Sequence, residues 1–237
     1  MPTKDPAKPT VTAERPEPEP GDNLKAYVEA KLEEAKSKAE IQLTTSPPPP
    51  SYEWEVVGWG PWLTPFTPGG QPGRIIFTGQ QACVAIGVIM TSSMANNLAG
   101  FGAKIELNYW TSNTQTMQPV PQLSHVSTPC IQVVAGKTFY VDVFCFTPSE
   151  PACLYEMNVC ARVCACDPGR TVPGFAGFVR HIYDFDPDNL PLISGAPLGQ
   201  PPLTPPATLP APPTPSQWGF DRPIRFMVAR ETDPCCS

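Results

Sequence analysis

The sequence predicts an all-β fold. The type expected is an antiparallel β-sandwich, jelly-roll or immunoglobulin-like, with one short helix in an N-terminal arm and a long proline-rich C-terminal arm. Three stretches carry this reading. From Leu154 to Val163 apolar and polar residues alternate strictly, with Tyr155, Met157, Val159, Ala161 and Val163 on one face and Glu156, Asn158 and Arg162 on the other, the period of a half-buried strand. From Thr138 to Phe146 most residues are β-branched or aromatic, the types that pack well on a pleated surface. From Ala82 to Met90 both faces are apolar, so this strand is expected in the middle of a sheet or covered on both sides.

Taken in order, residues 1–51 form the N-terminal arm. Its first twenty residues are Pro, Glu and Lys with little to bury, a composition that does not fold alone. Asp22 is placed to cap a helix over about 22–43, with Leu24, Val28, Leu32, Ala35 and Ala39 on one face. That stripe is narrow, and an isolated helix of this length is marginal in water. Leu24, Val28 and Leu32 are therefore expected to dock on a partner, the plainer alternative being a helix that lies on its own domain. TTSPPPPS ends the helix in a stiff polyproline spacer.

The β-sandwich is expected over 52–185. YEWEVVGWGPWLTPF opens it as an edge strand, since Pro61, Pro65 and Pro68 exclude a central position. Its tryptophans, Trp54, Trp59 and Trp62, together with Trp110, are candidates for an aromatic platform that takes sugar or peptide. SSMANNLAGFG reads as a loop and AKIELNYW as a strand with one wet face. The stretch from Thr111 to Thr128 lacks periodicity and is expected to be an exposed loop crossing between sheets. Prolines 148 and 151 punctuate a connector that makes the 138–146 and 154–163 strands a hairpin. Residues 175–185 read as one further strand.

Residues 186–216 carry prolines throughout, no charge after Asp188, and leucines at Leu190, Leu192, Leu198, Leu203 and Leu209. Such a tract suits an apolar groove on another molecule, and fully extended it reaches on the order of 90 Å. These leucines join the helix stripe as candidate partner-binding residues. In 217–237, Ile224, Phe226 and Val228 alternate with Arg225 and Met227, a terminal strand that completes either its own sandwich or a neighbour's.

Composition excludes several functions. A net charge of −6 and a pI near 4.9 oppose a nucleic-acid partner, which demands clustered Lys and Arg. No run is long and apolar enough for membrane insertion, and no signal peptide is evident. With an odd count of nine cysteines, this favours synthesis in a reducing cytoplasm, with buried free thiols as the default and one or two disulfides possible. His125 and His181 have no nucleophile motif beside them, and neither a dinucleotide nor a P-loop fingerprint occurs, so no enzyme activity and no cofactor are expected. Cys153, Cys160, Cys164 and Cys166 lack the paired spacing of zinc knuckles. Asp184, Asp186 and Asp188 resemble the start of a calcium loop, but Asn189 and Gly195 stand where its glycine and glutamate belong; no metal is expected.

The residues thus describe an acidic β-sandwich with long arms and no catalytic centre. Viral capsid and decoration proteins resemble it in layout. The function expected is that of a non-enzymatic structural protein of a virion, a minor capsid, cement or surface component that binds other protein subunits through its arms. The alternative is a carbohydrate- or peptide-binding module using the tryptophans.

Overall fold

The structure is a computed structural model that describes residues 19, 21–42, 54–149, 153–165, 176–181 and 223–230. It is mostly β, with largely antiparallel sheets. The first sheet has four strands. At its centre are β1 (Trp54–Leu63) and β3 (Ala82–Met90), antiparallel, with β8 (Phe139–Phe146) antiparallel on the far side of β3. The short β11 (Arg180–His181) adds in parallel to β1 through Val57 and Gly58.

The second sheet is built on β4 (Ala103–Asn113) and β9 (Cys153–Ala165), antiparallel over eleven registered pairs. Beyond β9 lie β12 (Ile224–Ala229), antiparallel to it, and β2 (Ile75–Phe77), parallel to β12. The outer edge of β4 carries β5 (Gln118–Pro119), β6 (His125–Val126) and β7 (Ile131–Gln132). β10 (Ala176–Phe178) pairs with β9 at Arg162, Ala161 and Cys160.

Alternation decides what the two sheets bury. The inward residues of β3, Val84, Ile86 and Val88, meet Ile105 and Leu107 of β4, Tyr155, Met157 and Val159 of β9, and Ile224, Phe226 and Val228 of β12 in one core. β12 therefore completes its own chain's second sheet. The other face of β3, Cys83, Ala85 and Ile89, packs with Val57, Trp59, Trp62, Phe139 and Val141 beneath α1 (Asp22–Gln42). β3 is thus covered on both sides, as its apolar run requires, and the molecule has three layers: helix, sheet, sheet. Cys83 and Cys145 lie opposite each other on β3 and β8 and form a disulfide, which corrects the default of free thiols for this pair. Disulfides persist in oxidising settings. Cys130, Cys153 and Cys160 are free thiols.

Other expectations are corrected. The 139–146 and 153–165 strands are not a hairpin: β8 pairs with β3 in one sheet and β9 with β4 in the other, so their proline-bearing connector crosses the sandwich. β1 is not an edge strand, because a bulge between Trp59 and Trp62 absorbs Pro61 and β11 pairs on its open side. Gly60, at φ +117°, sits in that bulge, where an L side chain is strained and a Cβ would lie only 3.1 Å from the Cys83 carbonyl oxygen and the Val84 Cα.

SSMANNLAG is α2 (Ser92–Gly100), whose first turn is capped by the Thr91 hydroxyl accepting from the Met94 amide, and which buries Met94, Ala95 and Leu98. Residues 114–132 do not cross between sheets. They fold back along β4, and the Thr111 hydroxyl donates to the Leu123 carbonyl at 2.7 Å.

Candidate interaction surface

The helix residues expected on a partner are covered by their own chain. Leu24, Val28 and Leu32 are fully buried in the layer that holds Trp59, Trp62, Ile89 and Val141. A sheet face that is apolar on the outside needs a cover, and the nearest amphipathic segment supplies it. Leu190, Leu192, Leu198, Leu203 and Leu209 lie outside the described residues, as do Asp184, Asp186 and Asp188. The aromatic platform is not assembled either. Trp59 and Trp62 are buried under α1, with the Trp62 indole donating to the Gly70 carbonyl at 2.9 Å. Trp54 is half-buried against the inter-sheet core, and Trp110, 40% exposed, stands on the second sheet instead.

The ionisable groups that come together make structural contacts. The Tyr109 hydroxyl donates to Asp142 at 2.7 Å. Burial first, and the Asp142 charge second, push this phenol well above its ordinary range, so it stays a donor. His125 stacks on Phe144, with centroids 4.9 Å apart and planes 6° apart. His181 is buried with Nε2 3.0 Å from the Gly60 carbonyl. A carbonyl only accepts, so Nε2 carries the proton. Burial lowers this imidazole to about 4, which keeps it neutral. Burial also raises the Cys160 thiol, away from nucleophilic character. Among the described residues, no group of three or more His, Cys, Asp or Glu comes together as a metal site, and no helix is long and apolar enough to cross a membrane. A shallow cleft of about 340 Å³ between α1 and the start of β8 mixes Glu29 and Glu33 with Lys36 and Lys137, a lining that selects no single charge.

Two surface features stand out. On the outer face of the second sheet, Glu106 meets Arg162 at 2.7 Å and Asn108 at 2.9 Å, and Glu156 meets Arg225 at 3.1 Å. Beyond that second ion pair the face turns apolar. Leu154 pairs with Met227 and Met227 with Ile75 in register across β9, β12 and β2. These three and Phe77 are exposed by 42 to 48%. Sequence reasoning missed this row, because no single strand shows it; only the register of three strands from distant parts of the chain assembles it.

The second feature is an interruption. β10 ends with Phe178 opposite Cys160, the Val179 amide donates to the Val159 carbonyl, and β12 resumes with Ile224 opposite Met157. β10 and β12 are thus two halves of one strand along the same edge of β9, and the proline-rich tract is inserted between them. Val179 and Ile224, on either side of the insertion, both lie against Gly58. The two described ends of the insertion thus lie at one place in the body.

No family model and no curated protein matches this chain in sequence. Among solved structures it is similar to the CARDB domain of the PF1109 protein from Pyrococcus furiosus, a complex with di-metal ions, at 14% identity and a TM-score of 0.30 over 54% of this chain and 93% of that one. It is also similar to a β-glucosidase from Listeria innocua, at 12% identity and a TM-score of 0.29, over 55% of this chain and 16% of the enzyme. A third likeness is to the alkylpurine DNA glycosylase AlkC of Pseudomonas fluorescens bound to DNA, at 11% identity and 0.29, over 64% and 35%. Superpositions this loose carry no argument about function.

Proposed function

We propose that this protein is a non-enzymatic assembly component that binds neighbouring protein subunits through its proline- and leucine-rich tract, and that its setting is a virion, as a minor, cement or surface protein. The sandwich is of the immunoglobulin-like type in this reading. The order β1-β3-β8 facing β12-β9-β4 supports that type, since it matches strands A-B-E facing G-F-C.

One observation carries the proposal: the segment between Val179 and Ile224 interrupts a strand whose two halves stay in line, and from Asn189 to Ser216 it carries no charge. Beyond the short β11 pairing and the His181 contact with Gly60, an uncharged proline-rich insertion of this length serves a body that presents an apolar segment to others. The acidic balance supports a protein partner over nucleic acid. The burial of Trp59 and Trp62 weighs against the sugar- or peptide-binding alternative.

Limited proteolysis of the full chain tests this. At dilutions where sedimentation shows a monomer, cleavage is expected within 187–216, and in the assembled state the same bonds are expected to be protected. Resistance of 187–216 in the dilute monomer would overturn the proposal.

A further inference from the structure

The exposed row on the second sheet is unlike the rest of that face. Outward positions of β4 and β9 nearer the sheet centre include Lys104, Glu106, Asn108, Asn158 and Arg162, with Trp110 as a single exposed aromatic among them, and the ladder of ion pairs ends at Glu156–Arg225. The next registered positions, Leu154, Met227 and Ile75, are all large and apolar, and Phe77 lies two residues further along β2. Single exposed apolar residues need no explanation, but contiguous ones mark a contact site. The exposed parts of these four side chains amount to a few hundred Å², on the order of a typical functional patch. That is well short of the roughly 800 Å² per partner that a stable body-to-body interface buries. The row therefore suits a narrow, extended segment.

This chain contains such a segment. Three strands spaced about 4.8 Å apart make a row about 10 Å long, close to the ~9 Å rise of one polyproline turn. Residues 197–215 supply Leu198, Leu203 and Leu209 among prolines without a charge to desolvate. The tract re-enters at Ile224 on the strand that carries Met227. A polyproline run is stiff over several residues. Extended at about 3.1 Å per residue, the run from Leu198 to Pro215 would span on the order of 50 Å, more than the body's own radius, which brings Leu198 and Leu203 within reach of an adjacent copy.

We infer that the row of Leu154, Met227, Ile75 and Phe77 is the docking site for residues 197–215 of a second copy of this chain. The inference rests on the assembly reading above and names the surface that receives the tract. The test uses the full chain with Met227 replaced by photoreactive benzoylphenylalanine, mixed with ¹⁵N-labelled wild-type protein and irradiated under assembling conditions. Crosslinks from position 227 to peptides of 197–215 in the other isotopic copy are expected. Crosslinks within one copy only, or to any other region, overturn the inference, as does a chain that stays monomeric at every concentration.

A double variant, Met227→Glu with Ile75→Glu, alters only exposed positions, and retention of its fold is checked by circular dichroism. It is expected to weaken self-association by about tenfold or more and to restore cleavage of the tract. If the double variant assembles as tightly as the parent with the tract still protected, the docking row is wrong and the assembly reading stands. If the tract resists cleavage in the dilute monomer, the assembly reading itself falls.

Discussion

Gly58 is the point on which the split strand turns. A Cβ there would lie 2.6 Å from Val179 Cγ2, 3.1 Å from Ile86 Cδ1 and 3.2 Å from Ile224 Cδ1. Gly58→Ala should therefore press on both ends of the insertion and on β3 at once, and overpacking of this kind costs about 1–3 kcal/mol. Chemical denaturation should show a lower midpoint with an unchanged slope; an unchanged midpoint would mean that the three side chains shift freely.

The neighbouring His181 makes a second, pH-dependent prediction. Its pKa falls to about 4 in the folded state because burial penalises the imidazolium, against about 6.5 unfolded. Between those values the unfolded chain binds more protons, so stability rises with pH across the window. The contribution is complete above pH 6.5 and is lost as pH falls toward 4, on the order of 3 kcal/mol at most. His181→Gln keeps a donor for the Gly60 carbonyl and removes the titration. The difference between the two proteins' stability-versus-pH curves should therefore flatten below pH 4 and above pH 6.5 and slope between. Parallel curves would refute the assignment. Neither residue could be singled out from the sequence, since a glycine after two valines and a histidine in a short strand look ordinary until the topology puts them side by side.

At the scale of elements, the sequence showed which segments are strands far better than which strands are neighbours. The outward and inward residues of β9 and β12 follow from alternation alone. Pairing does not, because a short proline-bearing connector reads as a hairpin whether it returns to the same sheet or crosses to the other, and sequential strands usually do pair. The helix was legible to within a residue, over 22–42, yet its destination was not. The clue lay elsewhere, in a β3 apolar on both faces: such a strand in a two-sheet body needs an outside cover, and the narrow α1 stripe needs a site to cover. Each signal explains the other. Leu32, fully buried between α1 and the first sheet, tests how much the cover contributes. Leu32→Ala should destabilise the protein by about 2–4 kcal/mol through lost burial and the cavity left behind. Its unfolding, followed by tryptophan fluorescence, should report Trp59 and Trp62 becoming solvated. A loss below half a kcal/mol would show that the helix lies on the sheet without holding it.

On the scale of the whole molecule, the tract announced itself by composition, but composition could not say where it is attached. It reads as a terminal arm followed by a separate strand. In the structure its flanks are one interrupted strand, which only the partners on β9, Cys160 and Met157, reveal. The body should therefore not need the insertion. Removing residues 181–223 joins Arg180 directly to Ile224, and Val179, Arg180 and Ile224 then face Val159, Asn158 and Met157 in unbroken register. The shortened chain loses the two-residue β11 pairing and the His181 contact with Gly60. It also escapes the closure entropy of a loop of some forty residues, about 3 kcal/mol by the logarithmic estimate, so the terms nearly offset. The variant is expected to fold with the β signature of the parent, a denaturation midpoint within the range of a single surface mutation, and no self-association. Failure to fold would show that the tract is part of the body, and an undiminished assembly would show that the body, and not the tract, makes the contacts.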